Sequence, residues 1–530
     1  MDTSKLKKFA IEARKSLMGI VSAKLDLVLD VNSFERRNNP QAIKALEGLI
    51  AEIGREQTIE KVAYTWFNRF IALRFMDVNH YTKIGVVSPA EGQTQPEVLS
   101  EAKGGYVDKQ VVPAEVEQRI SGLLSGAISS PKPQEEVYKL LLVAYFNAYN
   151  KLMPFMFERI KDYTELLMPD DLLSDSSVLI HAVETLDAET CKDVEVIGWL
   201  YQYYISEKKD EVFAGLKKGK KISKDDVPAA TQIFTPEWIV KYMVENSVGK
   251  MWLESHPNKD LQAKFKYYLE SAEQEDSVKA KLKEITNPNL KPQEIKVLDP
   301  ACGSGHILVK AFEVLFEIYK VQGYPENEIP EMILTHNLYG LEICDRAAQL
   351  AQFAVMMKAR QYDRNIFNKV KSLNICSIHD TNWVDFSIAD ELLIGVANKD
   401  KATKQIKLLQ ETFKDAKEYG SIIKVEGLDF DFWDERIDFY HQKKENTLHG
   451  QLINGRLKYI IKQAKIMQQQ YECVVANPPY MGGKGMDAKL SDYVKTKYAR
   501  SKGDMFAVFK EVIFNFTRKN YFSATINQHA

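Results

Sequence analysis

The sequence predicts an α/β protein in which a mostly helical N-terminal domain precedes a domain built on a parallel β-sheet. Residues 1–225 carry apolar and aromatic side chains at helical spacing. From Val227 onward, short runs rich in valine and isoleucine alternate with longer helical segments, as is typical of parallel sheets covered by helices. A length of 530 residues also exceeds what one hydrophobic core supports, so at least two domains are expected.

The composition is that of an ordinary globular protein and excludes several classes. Hydrophobic residues make up 45% and charged residues 27% of the chain, which argues against a disordered, collagen-like or coiled-coil protein. The 71 Lys and Arg residues nearly balance the 73 Asp and Glu residues, so a wholly basic nucleic-acid coat is excluded, whereas a local basic groove is not. No run of about 18 apolar residues predicts a transmembrane helix, and no secretion signal is recognised, so no membrane partner is expected.

Cysteine usage indicates a reducing compartment. The five cysteines are widely scattered, and no two of them form a Cys-x-x-Cys pair. Neither a disulfide framework nor a cysteine zinc site is therefore expected, and no metal ligands are assigned. A cytoplasmic location fits this pattern best.

The N-terminal domain is interpreted as a set of packed helices. Two apolar and aromatic stripes, in 62–74 and 137–146, most simply form contacts between helices. Arg69 and Arg74 on the first stripe are interpreted as solvated or ion-paired, with a phosphate contact as the alternative. The basic segment 216–226 is interpreted as a solvated linker at the domain boundary, or else as a strip that contacts phosphate.

The second domain, residues 226–530, contains five segments with the composition of buried strands. Helical segments separate them, as the crossovers of a parallel sheet require. Between the third and fourth candidate strands, residues 381–470 far exceed the roughly 12 residues that a crossover needs, and they are interpreted as an inserted helical element. The candidate strands are 294–299, 337–342, 372–378, 471–477 and 521–527.

A glycine-containing loop follows the first candidate strand. The segment VLDPACGSGH places Asp299 at the strand end and Gly303 and Gly305 in a tight turn before a long helix, where a ligand can approach backbone N–H groups. Leu308 stands where the pattern G-x-G-x-x-G has its third glycine, so a dinucleotide is disfavoured. A carboxylate before the loop would repel phosphate but accept a hydrogen bond from an ammonium group. This suits a phosphate-free, zwitterionic cofactor such as S-adenosylmethionine, although an ordinary strand–turn–helix corner is the alternative.

A second acid, Glu342, ends the next candidate strand. In doubly wound folds this position lies near the ribose diol of a bound cofactor. Its separation from Asp299 along the chain exceeds the usual offset of about 20 residues, which predicts a short insertion in the first crossover. Asp345 is interpreted as the N-cap of the helix that follows.

The tetrapeptide Asn477-Pro478-Pro479-Tyr480 follows the fourth candidate strand directly. Its two prolines form a stiff turn whose carbonyls are free as acceptors, and the asparagine adds a side-chain carbonyl. An amino group conjugated to a ring is a poor nucleophile because its lone pair is delocalised. Acceptors on its two hydrogens free that lone pair for in-line attack on a sulfonium methyl group, while the tyrosine ring offers a stacking surface. A proline-stiffened turn without a catalytic role is the alternative.

With these motifs in this order, the sequence resembles the N6-adenine DNA methyltransferases, in the branch shared by Type I and fused Type II restriction–modification enzymes. A narrower resemblance, to the adenine methyltransferases of BREX phage-defence systems, covers essentially the whole chain. It is carried by MDTSKLKKFAIEARKSLMGIVSAKL, AYTWFNRFIALRFMD and ANPPYMGGKGMDAKLSDYVKTKYARSKGDMFAVF. The resemblance implies a Rossmann-like, S-adenosylmethionine-dependent methyltransferase domain that methylates adenine N6 at specific sites and marks host DNA.

The resemblance also implies roles for individual residues. Asn477 and the Pro478 carbonyl would hold N6 of an adenine flipped out of duplex DNA, and Tyr480 would stack on the base, with Pro479 completing the catalytic turn. The upstream segment TQIFTPEWIVKYMVENSV would contact the methionine end of the cofactor, and Asp380 would lie near its adenine. The implied cofactor-binding residues are Phe234, Thr235, Asp299, Ala301, Gly303, Gly305, Glu342 and Asp380.

One departure from the family concerns the C-terminal end of the chain. The family fold has a seven-stranded sheet followed by a target-recognition domain, whereas five candidate strands are found here. We therefore expect an N-terminal portion that lacks the last strands and the target-recognition domain, and that does not by itself methylate DNA site-specifically. The implied partners are double-stranded DNA and other BREX proteins, with a monomer favoured. The basic residues after the NPPY turn have two interpretations: they contact DNA phosphates, or they form a solvated face. These residues are Lys495, Lys497, Arg500 and Lys502.

Three other functions stay open from the sequence. The NPPY tetrapeptide also occurs in RNA guanine-N2 and protein-glutamine methyltransferases, which are typically smaller and lack both the upstream segment and a large helical domain. A fused nuclease would use the triplet Glu294-Ile295-Lys296, which more simply opens the first strand. A non-catalytic DNA-binding or assembly subunit could keep a relic cofactor site, but the intact glycine loop and NPPY turn argue against it.

Overall fold

A computed structural model describes two compact units. The first comprises Met1–Glu207 with Phe367–Lys371, and the second comprises Lys208–Ile366 with Ser372–Ala530. The sequence predicted a domain boundary near residue 225, whereas the two units divide between Glu207 and Lys208. The basic segment 216–226 therefore belongs to the second unit. The residues described are 3–157, 163–224, 226–232, 235–442 and 448–527.

The first unit is built from helices, and the two predicted stripes pack against each other in its core. Trp66 and Phe146 are fully buried, with ring centroids 5.8 Å apart in an edge-on arrangement. The helices are Thr3–Leu29, Phe34–Asn38, Pro40–Ile53, Arg55–Val78, Glu97–Lys103, Ala114–Ser125, Pro133–Asn150, Tyr163–Leu166, Val178–Thr185 and Glu195–Tyr204, with a 3₁₀ turn at Thr190–Lys192.

Both arginines of the first stripe make contacts within the helical unit. The Arg69 side chain is buried with its guanidinium 5.3 Å from the ring centroid of Trp66 and 5.7 Å from that of Phe146. Arg74 is half-buried and donates to the carbonyls of Leu186 and Val183 at 2.8 and 3.0 Å. The burial of Arg69 corrects its interpretation as solvated or phosphate-facing.

The second unit is organised around a parallel sheet. Its strands are β1 (Val297–Asp299), β2 (Leu338–Glu342), β3 (Asn374–Ser377), β4 (Tyr471–Ala476) and β5 (Thr517–Thr525), in the order β3-β2-β1-β4-β5. This confirms the predicted α/β fold, and β5 begins four residues before the predicted segment. Chain order reverses between β1 and β4, which makes the carboxyl ends of these two strands the expected binding crevice.

Helices cover the sheet, and the described part of 381–470 is helical. This insertion shares one apolar core with the sheet, in which Trp433 of the insertion and Leu341 of β2 are fully buried. The helices are Ser206–Lys217, Val227–Thr231, Glu237–Val244, Lys250–Ser255, Lys259–Gln262, Asp276–Ile285, His306–Val321, Ile329–Met332, Asp345–Arg360, Phe386–Leu392, Lys399–Phe413, Ala416–Tyr419, Phe430–Gln442, Leu448–Gln468, Ala488–Lys497 and Met505–Phe516. The short helix Ile366–Lys369 belongs largely to the first unit. Shorter turns are π-helical at Glu245–Gly249 and Ile333–Asn337, and 3₁₀ at Pro292–Glu294 and Gly420–Ile422.

Two searches of the described residues gave negative results. None of their helices combines the length and apolar character needed to cross a bilayer. Among these same residues, no three His, Cys, Asp or Glu side chains cluster in a way that could hold a metal ion.

Candidate functional site

A cavity opens at the carboxyl ends of β1, β2 and β4, at the reversal of strand order. Asp299, Glu342 and Asn477, one from the end of each strand, lie in its wall. Several predicted site residues are therefore brought together here, although they are far apart in the chain. The predicted residues that line the cavity are Thr235, Asp299, Ala301, Gly303, Glu342, Asn477 and Pro479. Phe234 lies outside the described residues.

The glycine loop is shaped by two positive φ angles and by a close helix contact. Gly303 and Gly305 have φ of +53° and +88°, a region that residues with a side chain rarely adopt. A Cβ on Gly305 would lie 2.8 Å from Cα of Ala351 in helix Asp345–Arg360. Gly305 therefore lies behind the cavity wall and lets the loop pack directly on that helix.

The two acids end neighbouring strands and are both bonded to backbone. Glu342 accepts at Oε2 from the N–H of Gly303 at 2.8 Å and at Oε1 from the N–H of Cys344 at 2.9 Å. Asp299 accepts at Oδ1 from the N–H of Ala301 at 3.1 Å. The bond between Gly303 and Glu342, which the sequence did not predict, fixes the glycine loop to the second acid.

Burial makes both carboxyl groups poor acids. Asp299 is 1% exposed, and burial, with a smaller contribution from the negative charge of Glu342, raises its pKa to about 8. Burial also raises the pKa of Glu342. Because two adjacent buried carboxyl groups resist ionisation, a ligand that brings a positive charge or hydrogen-bond donors would be favoured in this cavity.

Asn477 presents an unused acceptor at the end of β4. Its Nδ2 donates to Oγ1 of Thr235 at 2.9 Å, and Thr235 is itself buried. The Oδ1 atom of Asn477 is buried, and no group among the described residues donates to it. A buried acceptor without a donor costs about 1–3 kcal/mol, so this atom is suited to a donor supplied by a ligand.

Beyond Asn477, an aromatic pair flanks the NPPY turn. The half-buried rings of Tyr480 and Phe506 have centroids 6.1 Å apart and planes inclined at 40°. Asp504 fixes them, because its Oδ1 accepts from the N–H of Met481 at 3.3 Å and from the N–H of Phe506 at 3.1 Å. Neither Asp504 nor Phe506 was predicted, although an aspartate one residue before an apolar helix is a recognisable N-cap.

The structure does not bring Asp380 into the cavity. After β3 the chain turns away to begin the insertion, and Asp380 accepts at Oδ1 from the N–H of Asn382 at 3.1 Å. Asp345 is likewise not the N-cap, which is Cys344. The carboxylate of Asp345 instead accepts a hydrogen bond from Lys417 of the insertion at 2.5 Å. Residues 418–421 of the insertion line the cavity.

Two basic stretches meet beside the NPPY turn. Ile222 donates its N–H to the carbonyl of Gly485 at 3.1 Å, and the amine of Lys221 bonds to the carbonyl of Lys484. The basic segment is thus docked on the loop after NPPY rather than being a free linker. We call the resulting surface the basic ridge; its exposed members are Lys217, Lys218, Lys220, Lys221, Lys224, Lys484, Lys489, Lys495, Lys497, Arg500 and Lys502.

Comparison with known protein families agrees with this geometry. Residues 277–391 match the model of the N-6 DNA Methylase family. Residues 336–530 match the model of the Eco57I restriction-modification methylase family. Together these matches include both acids, the glycine loop and the NPPY turn.

Two curated relatives are similar over most of the chain. It is 41% identical over 502 residues to the adenine-specific methyltransferase BrxX of Escherichia coli O9:H4 (strain HS), covering 90% of this chain and 40% of that protein. It is 34% identical over 596 aligned residues to the adenine-specific methyltransferase PglX of Lacticaseibacillus casei (strain Zhang), covering 100% of this chain and 47% of that protein. The chain therefore spans less than half the length of these relatives.

Among solved structures, the Type IIL restriction-modification enzyme MmeI in complex with DNA aligns with 96% of this chain and 50% of its own at 12% identity. The TM-score is 0.36, too low to establish a shared arrangement. The sequence relatives confirm the resemblance noted above: the chain is homologous to adenine-specific methyltransferases, and residues 277–391 of its second unit match the N-6 DNA Methylase model.

Proposed function

We propose that this chain, a homologue of the BrxX and PglX methyltransferases, carries the cofactor-binding and target-binding parts of a site-specific DNA adenine N6-methyltransferase. The observation that carries the proposal is the buried, unpartnered Oδ1 of Asn477 at the end of β4, beside a cavity that contains two acids. That atom can accept a hydrogen bond from an amino group, which is the group that such an enzyme must activate.

Methyltransferases of this kind use S-adenosylmethionine in general, and the cavity residues fit that molecule. When bound, it supplies a methyl group on a positively charged sulfur. Asp299 would accept a hydrogen bond from its ammonium group, and Glu342 would accept from its ribose hydroxyls. The backbone of Ala301 and Gly303 and the Thr235 side chain would complete the site, with Phe234 carried over from the resemblance. Asp380 is left out of this proposal because it lies outside the cavity.

Asn477 and Pro478 would act on the target base. Oδ1 of Asn477 and the carbonyl of Pro478 each accept one hydrogen of the adenine amino group, which draws the nitrogen lone pair out of conjugation and toward the cofactor. Tyr480 stacks on the flipped base. Phe506, 6.1 Å from Tyr480, provides a second apolar wall for the base.

DNA would approach along the basic ridge. Its exposed lysines and arginine lie on the loop and helix that follow NPPY and on the basic segment docked there, so phosphate contacts and the catalytic turn are continuous. Similarity to BrxX and PglX supports the further proposal that the protein marks host DNA in a BREX system together with other BREX proteins.

The competing functions receive less support from the site. In the triplet proposed for a nuclease, Glu294 accepts from the N–H of Lys291 at 2.8 Å and Lys296 donates to Gln469 at 3.2 Å, so both side chains have structural partners. RNA guanine-N2 or protein-glutamine methylation and a non-catalytic role with a relic site are decided by experiment.

The experiment measures transfer of a labelled methyl group by the full-length gene product to duplex DNA, tRNA and a glutamine-bearing protein. We expect label at adenine N6 in duplex DNA and its loss in Asn477→Ala, with cofactor binding retained. Label in tRNA or protein alone would replace the proposal with one of the other methyl acceptors. Absence of both cofactor binding and transfer would favour the relic site.

A further inference from the structure

The insertion contributes a carboxyl group, that of Glu418, to the wall of the cavity. Residues 415–423, which we call the strap, follow helix Lys399–Phe413 and cross the cavity. Glu418, Tyr419, Gly420 and Ser421 of the strap line it. Asp380, the residue expected to lie near the cofactor's adenine, does not.

On one side, the strap is fixed to the loops after β1 and β2. Ser421 donates from Oγ to the carbonyl of Pro300 at 2.5 Å, and Lys417 donates to the carbonyl of Ile343 at 3.0 Å. Gly420 has φ of +61°, and a Cβ there would lie 3.3 Å from Cδ1 of Ile343. The strap therefore packs against Ile343, the residue directly after Glu342.

On its other side, the strap is fixed to helix Ala488–Lys497 and the residue after it. The rings of Tyr419 and Tyr493 stack with centroids 4.2 Å apart and planes inclined at 18°. Asp415 pairs with Lys489 at 3.1 Å, and the hydroxyl of Tyr498 donates to the carbonyl of Ile422 at 2.5 Å. Contacts on both sides hold the strap in one position, so Glu418 is presented to the cavity by a rigid element.

Glu418 is half-buried and lies beside Asp487, the N-cap of helix Ala488–Lys497. Burial, then the negative charge of Asp487 and the hydrogen bond to it, raise the pKa of Glu418 to about 7, while Lys224 and Lys489 act in the opposite direction. At neutral pH Glu418 can therefore hold a proton and donate it to Asp487 through one oxygen. The other oxygen of Glu418 stays available as an acceptor toward the cavity.

The position of Glu418 relative to Glu342 indicates which part of a ligand it meets. If Glu342 binds the ribose hydroxyls, the base attached to that ribose lies toward the neighbouring residue, Ile343, against which the strap packs. We propose that Glu418 recognises the exocyclic amino group of the cofactor's purine and so selects an adenine nucleoside over one that lacks this amine. This inference rests on the proposed function, because it takes the cavity to be the cofactor site.

Calorimetry on the 530-residue chain tests it, with S-adenosylhomocysteine and its deaminated analogue S-inosylhomocysteine as ligands. The unmodified chain should bind the amine-bearing ligand about tenfold more tightly, and Glu418→Ala should weaken that ligand about tenfold while leaving the analogue unchanged. Glu418→Gln, which keeps a carbonyl acceptor, should retain part of the preference. Glu426→Ala removes an exposed acid that pairs with Lys424 at 2.9 Å outside the cavity, and it should change neither affinity.

The outcomes separate the two levels of the proposal. Equal loss of affinity for both ligands in Glu418→Ala, or an unchanged preference, would overturn the role of Glu418 and leave the cofactor site standing. Failure of the unmodified chain to bind either ligand would overturn the cofactor site and this inference with it. A thermal unfolding curve for each variant shows whether a lost affinity comes from a lost fold.

Discussion

The amide of Asn477 donates from Nδ2 to Oγ1 of Thr235 at 2.9 Å, across 242 residues of chain. This bond joins the end of β4 to the segment just before helix Glu237–Val244. Because the amino side of the amide is engaged, its carbonyl oxygen is the side left for a substrate. The upstream segment therefore orients the amide of Asn477, the residue that we propose to be catalytic.

Replacement of the two partners should affect methylation to different degrees. Asn477→Ala removes the acceptor and should lower single-turnover methyl transfer to duplex DNA by about 100-fold or more in the full-length gene product. Thr235→Val keeps the acceptor but leaves it unoriented, and we expect a loss of about tenfold.

Thr496→Val provides the matched control for Thr235. Its hydroxyl is exposed and bonds to the carbonyl of Asp492 at 2.8 Å within one helix, so methyl transfer should not change. A Thr235→Val variant with the unmodified rate would show that the bond does not orient the amide.

Local patterns predicted the fold, and contacts between distant segments limited the prediction of the site. Short apolar runs that end in Asp299, Glu342 and Asn477 are visible within a few residues of sequence, and parallel strands necessarily bring such ends to one edge. The strap could not be predicted, because no periodicity in the sequence shows that part of an insertion packs back against the edge of the sheet where the insertion begins. Asp380 does not line the cavity, because the chain departs from the sheet just before it.

Proton release should accompany ligand binding at Asp299. In the free chain its pKa is about 8, so the carboxyl group is mostly protonated at pH 7. The ammonium group of S-adenosylhomocysteine favours the carboxylate, so binding should lower this pKa and release a proton. Affinity should then rise between pH 6 and 8 and level off above the free pKa, since no proton is left to release.

Calorimetry in buffers of different ionisation enthalpy measures that release. The Asp299→Asn variant should bind S-adenosylhomocysteine more weakly, and it should no longer release the proton that Asp299 contributes on binding. Glu418→Gln serves as the comparison, because it removes the titration of Glu418 while Asp299 stays in place. Unchanged proton release in Asp299→Asn would assign the proton to another group.

The close contact at Gly305 should make it the least replaceable glycine of the loop. Alanine there meets both a φ of +88° and a Cβ position 2.8 Å from the backbone of Ala351. We expect Gly305→Ala to lower the free energy of unfolding by about 2–4 kcal/mol. Gly323, at the other end of the same helix, has φ of +82° with no described atom within 4 Å of its Cβ position. Gly323→Ala should therefore cost only about 1 kcal/mol. Equal losses in denaturant unfolding would show that the Ala351 contact relaxes freely.

The basic ridge should determine how DNA binding depends on salt. Each phosphate contact releases counterions and makes the plot of log affinity against log salt concentration steeper. Removing one contact should therefore reduce the magnitude of its negative slope by about 0.9. Replacing Lys495, Lys497 and Arg500 with glutamine should weaken binding to any duplex and reduce that slope by up to about 3. The control is the same change of charge on the insertion, made at the exposed Lys399, Lys404 and Lys407. Fluorescence anisotropy over a salt series measures both slopes. If the two triple variants lose affinity equally, net charge rather than the ridge attracts DNA, and the path of the duplex must be sought on another face.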